Sequence, residues 1–494
     1  MIGYILTERP VTNTKVTISD MSSLTLLPST STSHHPSRFL KLPTELIDSI
    51  FSHLTPHELV VLSFVCRELF HHVANDIHWR RYVLSHLPGN KIKSPYPCKS
   101  WRELFEAHNQ YWFLTKYKIW FCDRSLTGHM IVARYDQRRG CIEGYQLLAT
   151  RTRDGSEAWA AHPDVRIHHF EPDVKLHLDR PVVQFNVDSL ENLMRISLLA
   201  PDSKTRAARR FYPEHPMRPN HGSDPRFSTF VLAKPLTDRD LTYHMKNHFP
   251  YGLVWPPPAI PAAHRVLGHP ADMAGGPTHD VITSSRWRPI NRSEASDMTF
   301  RIRQWMELGP PTMGFHVGEE IVTYSTLDPV LYTPTPARPW RGIWVGDYNV
   351  HGCEFLLINQ PDVDEEGYQE PLTRLSNESD EEFQARFLSR KVYRGRLEAI
   401  KLTGDPNVPR GECTFLANDL GEDGFVGIAQ GPPFQGARIV KSQGHVAAFG
   451  FASDEYIESQ LILVSYNRLA QYWVDSGHIS FFERVDIDQF LIPS

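Results

Sequence analysis

The sequence lacks the motifs of several common enzyme and metal-binding classes. None of its six cysteines forms a CxxC pair, and none stands beside a histidine at the spacing of a zinc finger. No GxSxG nucleophile elbow, P-loop, HExxH helix or Rossmann glycine pattern occurs. We therefore expect no metal site and no cofactor, while a paired-carboxylate enzyme stays open at this point because Asp and Glu are plentiful.

Long apolar runs and a strong net charge are also missing. No run approaches the roughly 20 residues of a membrane helix, and the opening MIGYIL is followed at once by Glu8 and Arg9, unlike a secretory signal. A net charge of -5 over 494 residues favours neither nucleic acid nor an anionic membrane as a partner. We expect a soluble protein of the cytoplasm and/or nucleus, with reduced cysteines.

The residues that are present divide the chain by their hydrophobic period. The spacing is helical from Leu42 to about His108 and changes near Lys118 to short alternating runs bounded by turn residues. The Ser/Thr-rich start is typical of a disordered tail, and three later segments read as loop insertions because they are rich in proline or acidic residues. The predicted organisation is a tail at 1–38, a helical domain at 39–85, a helical linker at 86–117 and a β-rich domain at 118–494, with insertions at about 202–226, 255–290 and 361–383.

The helical segment has more large apolar residues than three short helices bury among themselves. Leu42, Leu46, Ile50 and Leu54 recur four residues apart, and Thr55 with Glu58 has the spacing of a capping box that starts the next helix. A domain this small leaves much of its surface accessible. The surplus must therefore pack on the rest of the chain or on a partner, and the pattern alone does not decide between them.

Three landmarks in this segment make it resemble an F-box. They are the leading Leu42-Pro43, the Val65-Cys66-Arg67 step and the later Trp79. In that family the motif docks onto the Skp adaptor of a cullin–RING ubiquitin ligase. The resemblance implies an apolar interface in which a few large side chains carry most of the affinity. The residues it assigns to the adaptor are Leu42, Pro43, Leu46, Ile47, Ile50, Phe51, Leu54, Leu59, Leu62, Val65, Cys66 and Trp79.

The β-rich remainder contains many short strand-length runs with few helical patterns between them. Examples are KIWFC near residue 120, and GIWVGDY, CEFLLIN, RGRLEAIK and SQLILVSYN in the C-terminal third. Such runs predict antiparallel strands in a sandwich or a closed barrel. We favour the barrel because closure leaves no exposed sheet edge.

Two stretches of the C-terminal third resemble the cyclin-D-binding domain of F-box only protein thirty-one and its fungal and plant relatives. They are GIWVGDYNVHGCE at residues 342–354 and GDPNVPRGE at residues 404–412. In that family the domain is a β-barrel that captures the C-terminal end of a substrate peptide. The resemblance assigns substrate binding to Tyr348, His351, Glu354, Asp405, Asn407 and Arg410. Turn geometry is the alternative role for several of them, such as Asp405 and Asn407, whose side chains bond local backbone.

The predicted fold class is α+β: a small N-terminal helical F-box, then a large antiparallel β-barrel-like domain with proline-rich and acidic loop insertions. The resemblance implies a substrate-recognition subunit of an SCF (Skp–cullin–F-box) ubiquitin ligase that is not itself an enzyme and has no catalytic residue, since the other subunits transfer ubiquitin. Its implied partners are the Skp adaptor, through it cullin and RING subunits, and a protein substrate. Two alternatives remain open: a barrel that senses a small apolar ligand, and an adaptor-bound protein acting outside ubiquitination. A basic cluster at Arg206, Arg209 and Arg210 has the chemistry to pair a phosphate, but a solvated loop is the simpler interpretation.

Overall fold

Helices form the N-terminal part of the chain and strands form most of the rest. The computed structural model describes residues 38–89, 92–122, 127–151, 155–187, 213–217, 226–234, 254–255, 266–267, 289–308, 315–348, 351–362, 374–375 and 378–493. The α-helices are α1 Thr44–Phe51, α2 Pro56–Ser63, α3 Arg67–Val73, α4 Asp76–Ser85, α5 Trp101–Ala107, α6 Trp112–Tyr117 and α7 Asp380–Val392. The chain divides into two compact units, Met1–Ala74 and Asn75–Ser494.

In the first unit, helix α2 begins where the sequence supplies a cap. The Thr55 hydroxyl accepts a hydrogen bond from the backbone N–H of Glu58, and the Glu58 carboxylate accepts one from the N–H of Thr55 at 2.7 Å. This reciprocal pair is the predicted capping box, and it fixes the start of α2. In the second unit the Ser100 hydroxyl caps α5, but the Glu103 carboxylate accepts from the N–H of Lys99 rather than from that of Ser100, so no reciprocal capping box forms there.

The strands of the second unit follow the predicted runs and extend them. Their bounds are β1 Ile119–Cys122, β2 Met130–Asp136, β3 Cys141–Arg151, β4 Ser156–Trp159, β5 His162–His168, β6 Pro172–Leu176, β7 Val183–Asn186, β8 Glu214–Met217, β9 Arg226–Leu232, β10 Val254–Trp255, β11 Val266–Leu267, β12 Thr299–Leu308, β13 Phe315–Ser325, β14 Gly342–Asp347, β15 Cys353–Asn359, β16 Leu397–Lys401, β17 Cys413–Ala417, β18 Phe425–Ile428, β19 Arg438–Ala448, β20 Ala452–Ser465, β21 Arg468–Trp473 and β22 His478–Arg484. Short 3-10 turns lie at Arg38–Lys41, Arg292–Glu294, Pro329–Leu331 and Ile487–Phe490.

Eight of these strands close into an antiparallel barrel. Their order is β14-β15-β16-β17-β19-β20-β21-β22, and β14 pairs with β22 to complete the ring. The barrel and the α+β class are therefore confirmed. Closure leaves no free edge along the ring, as the sequence argument required. The strand β18 pairs with β19 outside the ring.

Nine of the described strands before residue 326 form a separate open sheet rather than part of the ring, and β10 pairs only with β11. Its order is β6-β3-β2-β1-β13-β12-β9-β8, with β7 paired to β3. The β4–β5 hairpin instead joins the barrel, because β5 pairs in parallel with the start of β22. Barrel-like closure thus applies only to the C-terminal part of the predicted β-rich domain.

Alternation of side chains along the barrel strands produces two cores. One set points into the barrel and includes Trp344, Leu356, Phe415, Leu461 and Phe482. The neighbouring positions face outward, among them Ile343, Val345, Phe355 and Leu357. They form a second core with side chains of the open sheet, which include Ile119, Phe121, Met130 and Val132. β14 and β15 are therefore apolar on both faces, which explains why GIWV and FLLI read as continuous apolar runs.

Several predicted segments lie outside the described residues. They include nearly all of the 1–38 tail, most of the 202–226 and 255–290 insertions with the basic cluster at residues 206–210, and most of the 361–383 insertion. Within the described part of the chain, no helix has an apolar stretch long enough to cross a lipid bilayer.

Candidate functional site

The first candidate site is a set of exposed apolar residues on the first unit. In α1, Leu46 and Ile50 lie one turn apart and are 52% and 42% exposed, so they are neighbours on one helical face. Leu42 and Pro43, which precede α1, are also exposed. At the end of α2 and just after it lie three more exposed side chains. We define the exposed apolar face as Leu42, Pro43, Leu46, Ile50, Val61, Phe64 and Val65.

The opposite side of α1 is buried. Ile47 and Phe51 are 2% and 1% exposed. The centroid of the Phe51 ring lies 6.5 Å from that of Phe39 and 6.0 Å from that of His72. Leu59 in α2 is fully buried. These three side chains hold the helices together, so their assignment to the adaptor stays a prediction that their burial does not favour.

The remaining predicted adaptor residues have intermediate or buried positions. Leu54, Leu62 and Cys66 are half-buried, and Trp79, in α4 of the second unit, is 1% exposed. The structure also adds Val61 and Phe64, which were not predicted. Spacing alone did not separate them from core positions, because α2 carries apolar residues on nearly every side.

The second candidate site is the polar end of the barrel interior. The apolar inward-facing residues of β15 and β16 are Leu356, Ile358, Leu397 and Ala399. The next inward positions toward one end are Glu354 and Lys401, which are 2% and 1% exposed. The barrel interior is thus apolar over most of its length and ionic at the end where Glu354 and Lys401 lie.

A buried ion cluster fills this end. The Lys401 ammonium lies 2.8 Å from the Glu354 carboxylate and 2.6 Å from that of Asp405. Burial raises the pKa of Glu354 to about 8, against the opposing effect of Lys401. Burial also disfavours the charged form of Asp405, but Lys401 and its hydrogen bonds outweigh it, so the pKa of Asp405 lies below its usual value. At neutral pH the cluster therefore balances one ammonium against one carboxylate, with Glu354 protonated.

Tyr348 completes the cluster from the end of β14. Its ring lies 4.1 Å from the Lys401 ammonium, and its hydroxyl donates to the Thr414 hydroxyl at 2.9 Å. Burial, and then the nearby Glu354 carboxylate, raise the pKa of Tyr348 well above its ordinary value. A cation on an aromatic face is stabilised most when both are shielded from water, and that is the situation of Lys401.

The close approach of Tyr348 to the barrel wall requires Gly346. A Cβ at this position would lie 2.6 Å from the Phe482 ring and 3.1 Å from that of Tyr348. Any larger residue would have to displace one of the two rings. This geometry explains why a glycine occupies this position of β14.

The loop after β16 is held by the same cluster. Asp405 accepts hydrogen bonds from the backbone N–H groups of Asn407 and Val408 at 2.6 and 2.8 Å. Arg410 is 2% exposed, and its side chain runs beside the backbone of Gly128. His351, in the turn between β14 and β15, is exposed.

Of the six predicted substrate residues, the structure brings Tyr348, Glu354 and Asp405 together around Lys401. It places His351 at the surface, Asn407 half-buried in the loop and Arg410 in the interior. Their role in substrate binding stays a prediction. Lys401 and Thr414 were not predicted from the sequence. Lys401 was detectable, since it falls on the inward period of RGRLEAIK, where an unpaired charge is not tolerated.

Comparisons with known proteins match both sites to described domains. The family model "F-box-like" matches residues 39–85, which contain the exposed apolar face. The family model "Cyclin D1 binding domain" matches residues 324–489, which contain the barrel and its ion cluster.

A curated protein matches part of the chain. The Arabidopsis thaliana protein named Protein EXECUTER 2, chloroplastic is 28% identical over 159 residues, which cover 31% of this chain and 22% of that protein. The chain thus spans only about a fifth of the length of that relative. The predicted resemblance is confirmed: the chain carries an F-box-like domain at residues 39–85 followed by a Cyclin D1 binding domain at residues 324–489.

Proposed function

We propose that this protein is a substrate-recognition subunit of an SCF ubiquitin ligase. F-box domains dock a Skp-type adaptor as their general role, and a Cyclin D1 binding domain points to a protein partner. In the proposal the exposed apolar face docks the adaptor, the adaptor links the chain to cullin and RING subunits, and the barrel holds a target protein or its C-terminal peptide for ubiquitination in the cytoplasm or nucleus.

One observation carries the adaptor half of this proposal. Leu46 and Ile50 are exposed at one turn's spacing while Ile47 and Phe51, on the other side of the same short helix, are buried. A helix that already has a buried face gains nothing in water from a second apolar face. Such a face is typical of a protein interaction site, and its large aliphatic side chains are suitable anchors for an apolar groove.

The target half rests on the barrel. Tyr348, Glu354 and Asp405 are engaged inside the ion cluster, so they position the loops rather than meet a target directly. His351 is exposed and Asn407 is half-buried, and both lie on loops at this end of the barrel. We assign first contact with the target to these two side chains. Ubiquitin transfer belongs to the other subunits, so the chain itself has no catalytic role in the proposal.

The test is capture of purified Skp adaptor by the full chain. Leu42→Ala combined with Pro43→Ala should weaken capture strongly, because it removes the start of the exposed apolar face. The matched control is Val330→Ala combined with Ile492→Ala, since both are exposed apolar residues of the second unit. Capture by the Leu42/Pro43 variant at wild-type strength would overturn the docking assignment.

Cullin recovery separates the proposal from its alternative outside ubiquitination. If the chain and adaptor bind each other but never co-purify with cullin, the ligase role fails while the docking assignment stands. The described residues offer no observation that favours the small-ligand alternative, because side chains from all eight strands fill the apolar length of the barrel.

A further inference from the structure

A polar cleft of about 290 Å³ opens where β22 passes from one neighbouring strand to another. The start of β22 pairs with β5 at His478 and Ile479, and its end pairs with β14 at Phe482 and Glu483. Between them, Ser480 and Phe481 pair with neither strand, so the edge of β22 is open at this fork. The cleft is lined by Ser156, Arg166, His168, Asp347, Ser476, Gly477, His478 and Ser480.

Alternation along the strands brings polar side chains to one side of this fork. On β5, Val165 and Ile167 belong to the core between the barrel and the open sheet, and on β22 so do Ile479 and Phe481. The intervening residues of both strands therefore point away from that core. These are Arg166, His168, His478 and Ser480, and the parallel pairing of Arg166 with His478 places them side by side.

The cleft exposes one arginine that has no acidic partner among the described residues. Arg166 is exposed, and no acidic side chain of the described residues forms an ion pair with it. Its backbone N–H donates a hydrogen bond to the Gly477 carbonyl at 2.8 Å, which fixes its position in the cleft wall. The one acidic residue in the lining, Asp347, lies 3.3 Å from the Arg151 guanidinium, which balances its charge. An anion entering the cleft thus meets an uncompensated guanidinium.

The two imidazoles add donors that respond to an anion. The Ser476 hydroxyl lies 2.7 Å from His478 Nδ1, which leaves Nε2 as the ring nitrogen available to a ligand. The His168 ring contacts the His478 ring edge-on at 5.6 Å. Burial, and then the proximity of His168, lower the pKa of His478. A bound dianion would reverse that shift by stabilising the imidazolium.

We propose that this cleft binds a phosphoryl group carried by a side chain of the target protein. The inference rests on the proposed function, since it names the chemistry of the target. A phosphomonoester presents three free oxygens and about -1.5 to -2 charge, which suits a guanidinium, two imidazoles and the hydroxyls of Ser156 and Ser480. A carboxylate, with two oxygens and one charge, would leave several of these donors unused.

Size and position favour a phosphorylated side chain over a free metabolite. A volume of about 290 Å³ is at the lower limit of pockets that enclose whole ligands, so it holds the end of a side chain better than a nucleotide. Asp347, in its wall, immediately precedes Tyr348 at the end of the barrel assigned to the target. A peptide reaching His351 therefore passes close to the cleft.

The test follows the histidine resonances of the full chain, labelled with 13C-histidine, at constant ionic strength. The probes are N-acetyl-phosphoserine amide, inorganic phosphate, N-acetyl-serine amide and acetate. We expect saturable shifts of His168 and His478 with both phosphates, a rise in the titration midpoint of His478, and acetate binding at least about tenfold weaker. Arg166→Gln should weaken binding of the phosphates by about tenfold or more.

The matched control is Arg390→Gln, which removes an exposed arginine of α7 that does not line the cleft. Equal affinity for acetate and phosphate, or no saturation with either phosphate, overturns the inference. Tighter binding of inorganic phosphate than of N-acetyl-phosphoserine amide overturns the assignment to a target side chain. Adaptor capture is measured on the same Arg166→Gln protein; its retention shows that a failure here leaves the adaptor half of the proposed function intact.

Discussion

The two candidate sites reverse the usual distribution of side chains in opposite ways. The first unit exposes large aliphatic residues such as Leu46 and Ile50, whereas the barrel buries the charges of Lys401 and Asp405. Exposed apolar area costs free energy in water, and a buried charge costs more unless it is paired. In the barrel the compensation is internal, because Lys401 lies within 2.8 Å of two carboxyl groups.

Among the described residues of the first unit, no other side chain covers the exposed apolar residues of the helices. The side chains that could cover Leu46 and Ile50 are already used on the other side of α1, around Phe51. An unusually exposed or buried residue is therefore informative about function only after its partners inside the chain have been identified. By that criterion the exposed apolar face indicates an external partner, and the ion cluster indicates a structural support for the loops at its end of the barrel.

The largest expected effect comes from removing the buried cation of the ion cluster. Lys401→Met leaves the Asp405 carboxylate buried without its cation, and we expect a loss of about 3–5 kcal/mol in the free energy of unfolding. Urea unfolding measures it. Lys175→Met is the control, because its ion pair with Asp173 is largely exposed and such pairs contribute less than about 1 kcal/mol.

A triple variant separates charge from packing in that result. Combining Lys401→Met with Glu354→Gln and Asp405→Asn removes every charge of the cluster and should recover most of the lost stability. If the triple variant is as unstable as Lys401→Met, packing rather than the unpaired charge explains the loss.

The next largest effect concerns the exposed apolar face, which we propose is covered by the adaptor. Leu46→Ala with Ile50→Ala should weaken adaptor binding by about 2–4 kcal/mol, roughly 30- to 1,000-fold, and change the free energy of unfolding little because both side chains are exposed. Ile47→Ala, in the same helix, should destabilise the unit by about 2–5 kcal/mol. Isothermal titration calorimetry and thermal unfolding give the two quantities. The comparison fails if Leu46 and Ile50 matter for folding and not for binding.

A pH-dependent effect sharpens the description of the cluster. The pKa of Glu354 is about 8 in the folded chain against an ordinary 4.5, so within this window the folded chain holds a proton that the unfolded chain has released. The free energy of unfolding should therefore fall as the pH rises, by up to about 1.4 kcal/mol per pH unit from this residue. Asp405, whose pKa is lowered, acts in the opposite sense and loses its contribution only at more acidic pH.

Glu354→Gln tests this directly, since glutamine has no proton to release. Urea unfolding of both proteins between about pH 5 and about pH 8 should show a flatter pH dependence for the variant. Parallel curves would show that Glu354 is ionised throughout.

The smallest effect is at the rim of the cluster. Tyr348→Phe removes the hydrogen bond to Thr414 and should cost about 1 kcal/mol of stability. A double-mutant cycle with Thr414→Val isolates the coupling between the two hydroxyls. A coupling energy near zero would mean that the bond adds nothing to the barrel.

Local features of the fold were predictable from the sequence, while distant pairings were not. Thr55 and Glu58 mark the start of α2 because a capping box uses only neighbouring residues. The strands were predictable because each has its own run of apolar residues. The parallel pairing of Arg166 with His478 joins segments more than 300 residues apart. Neither segment has a sequence feature that identifies its partner strand, so the fork in β22 and its cleft were not predictable.

The sites show the same limit. Leu42, Leu46 and Ile50 were predicted for the adaptor together with Ile47 and Phe51, because spacing identifies apolar faces but not which face the chain itself covers. Glu354 and Asp405 were predicted without Lys401, the residue that joins them, because resemblance supplies motif positions and not their contacts.

The most direct test of the comparison is hydrogen exchange of the full chain with and without purified Skp adaptor. We predict that the adaptor slows backbone exchange in residues 42–65 and leaves the strands around Glu354 and Lys401 unchanged, because the helices lack internal compensation and the barrel has it. Protection of the barrel strands, or no change at residues 42–65 under conditions where the adaptor is bound, would contradict the account.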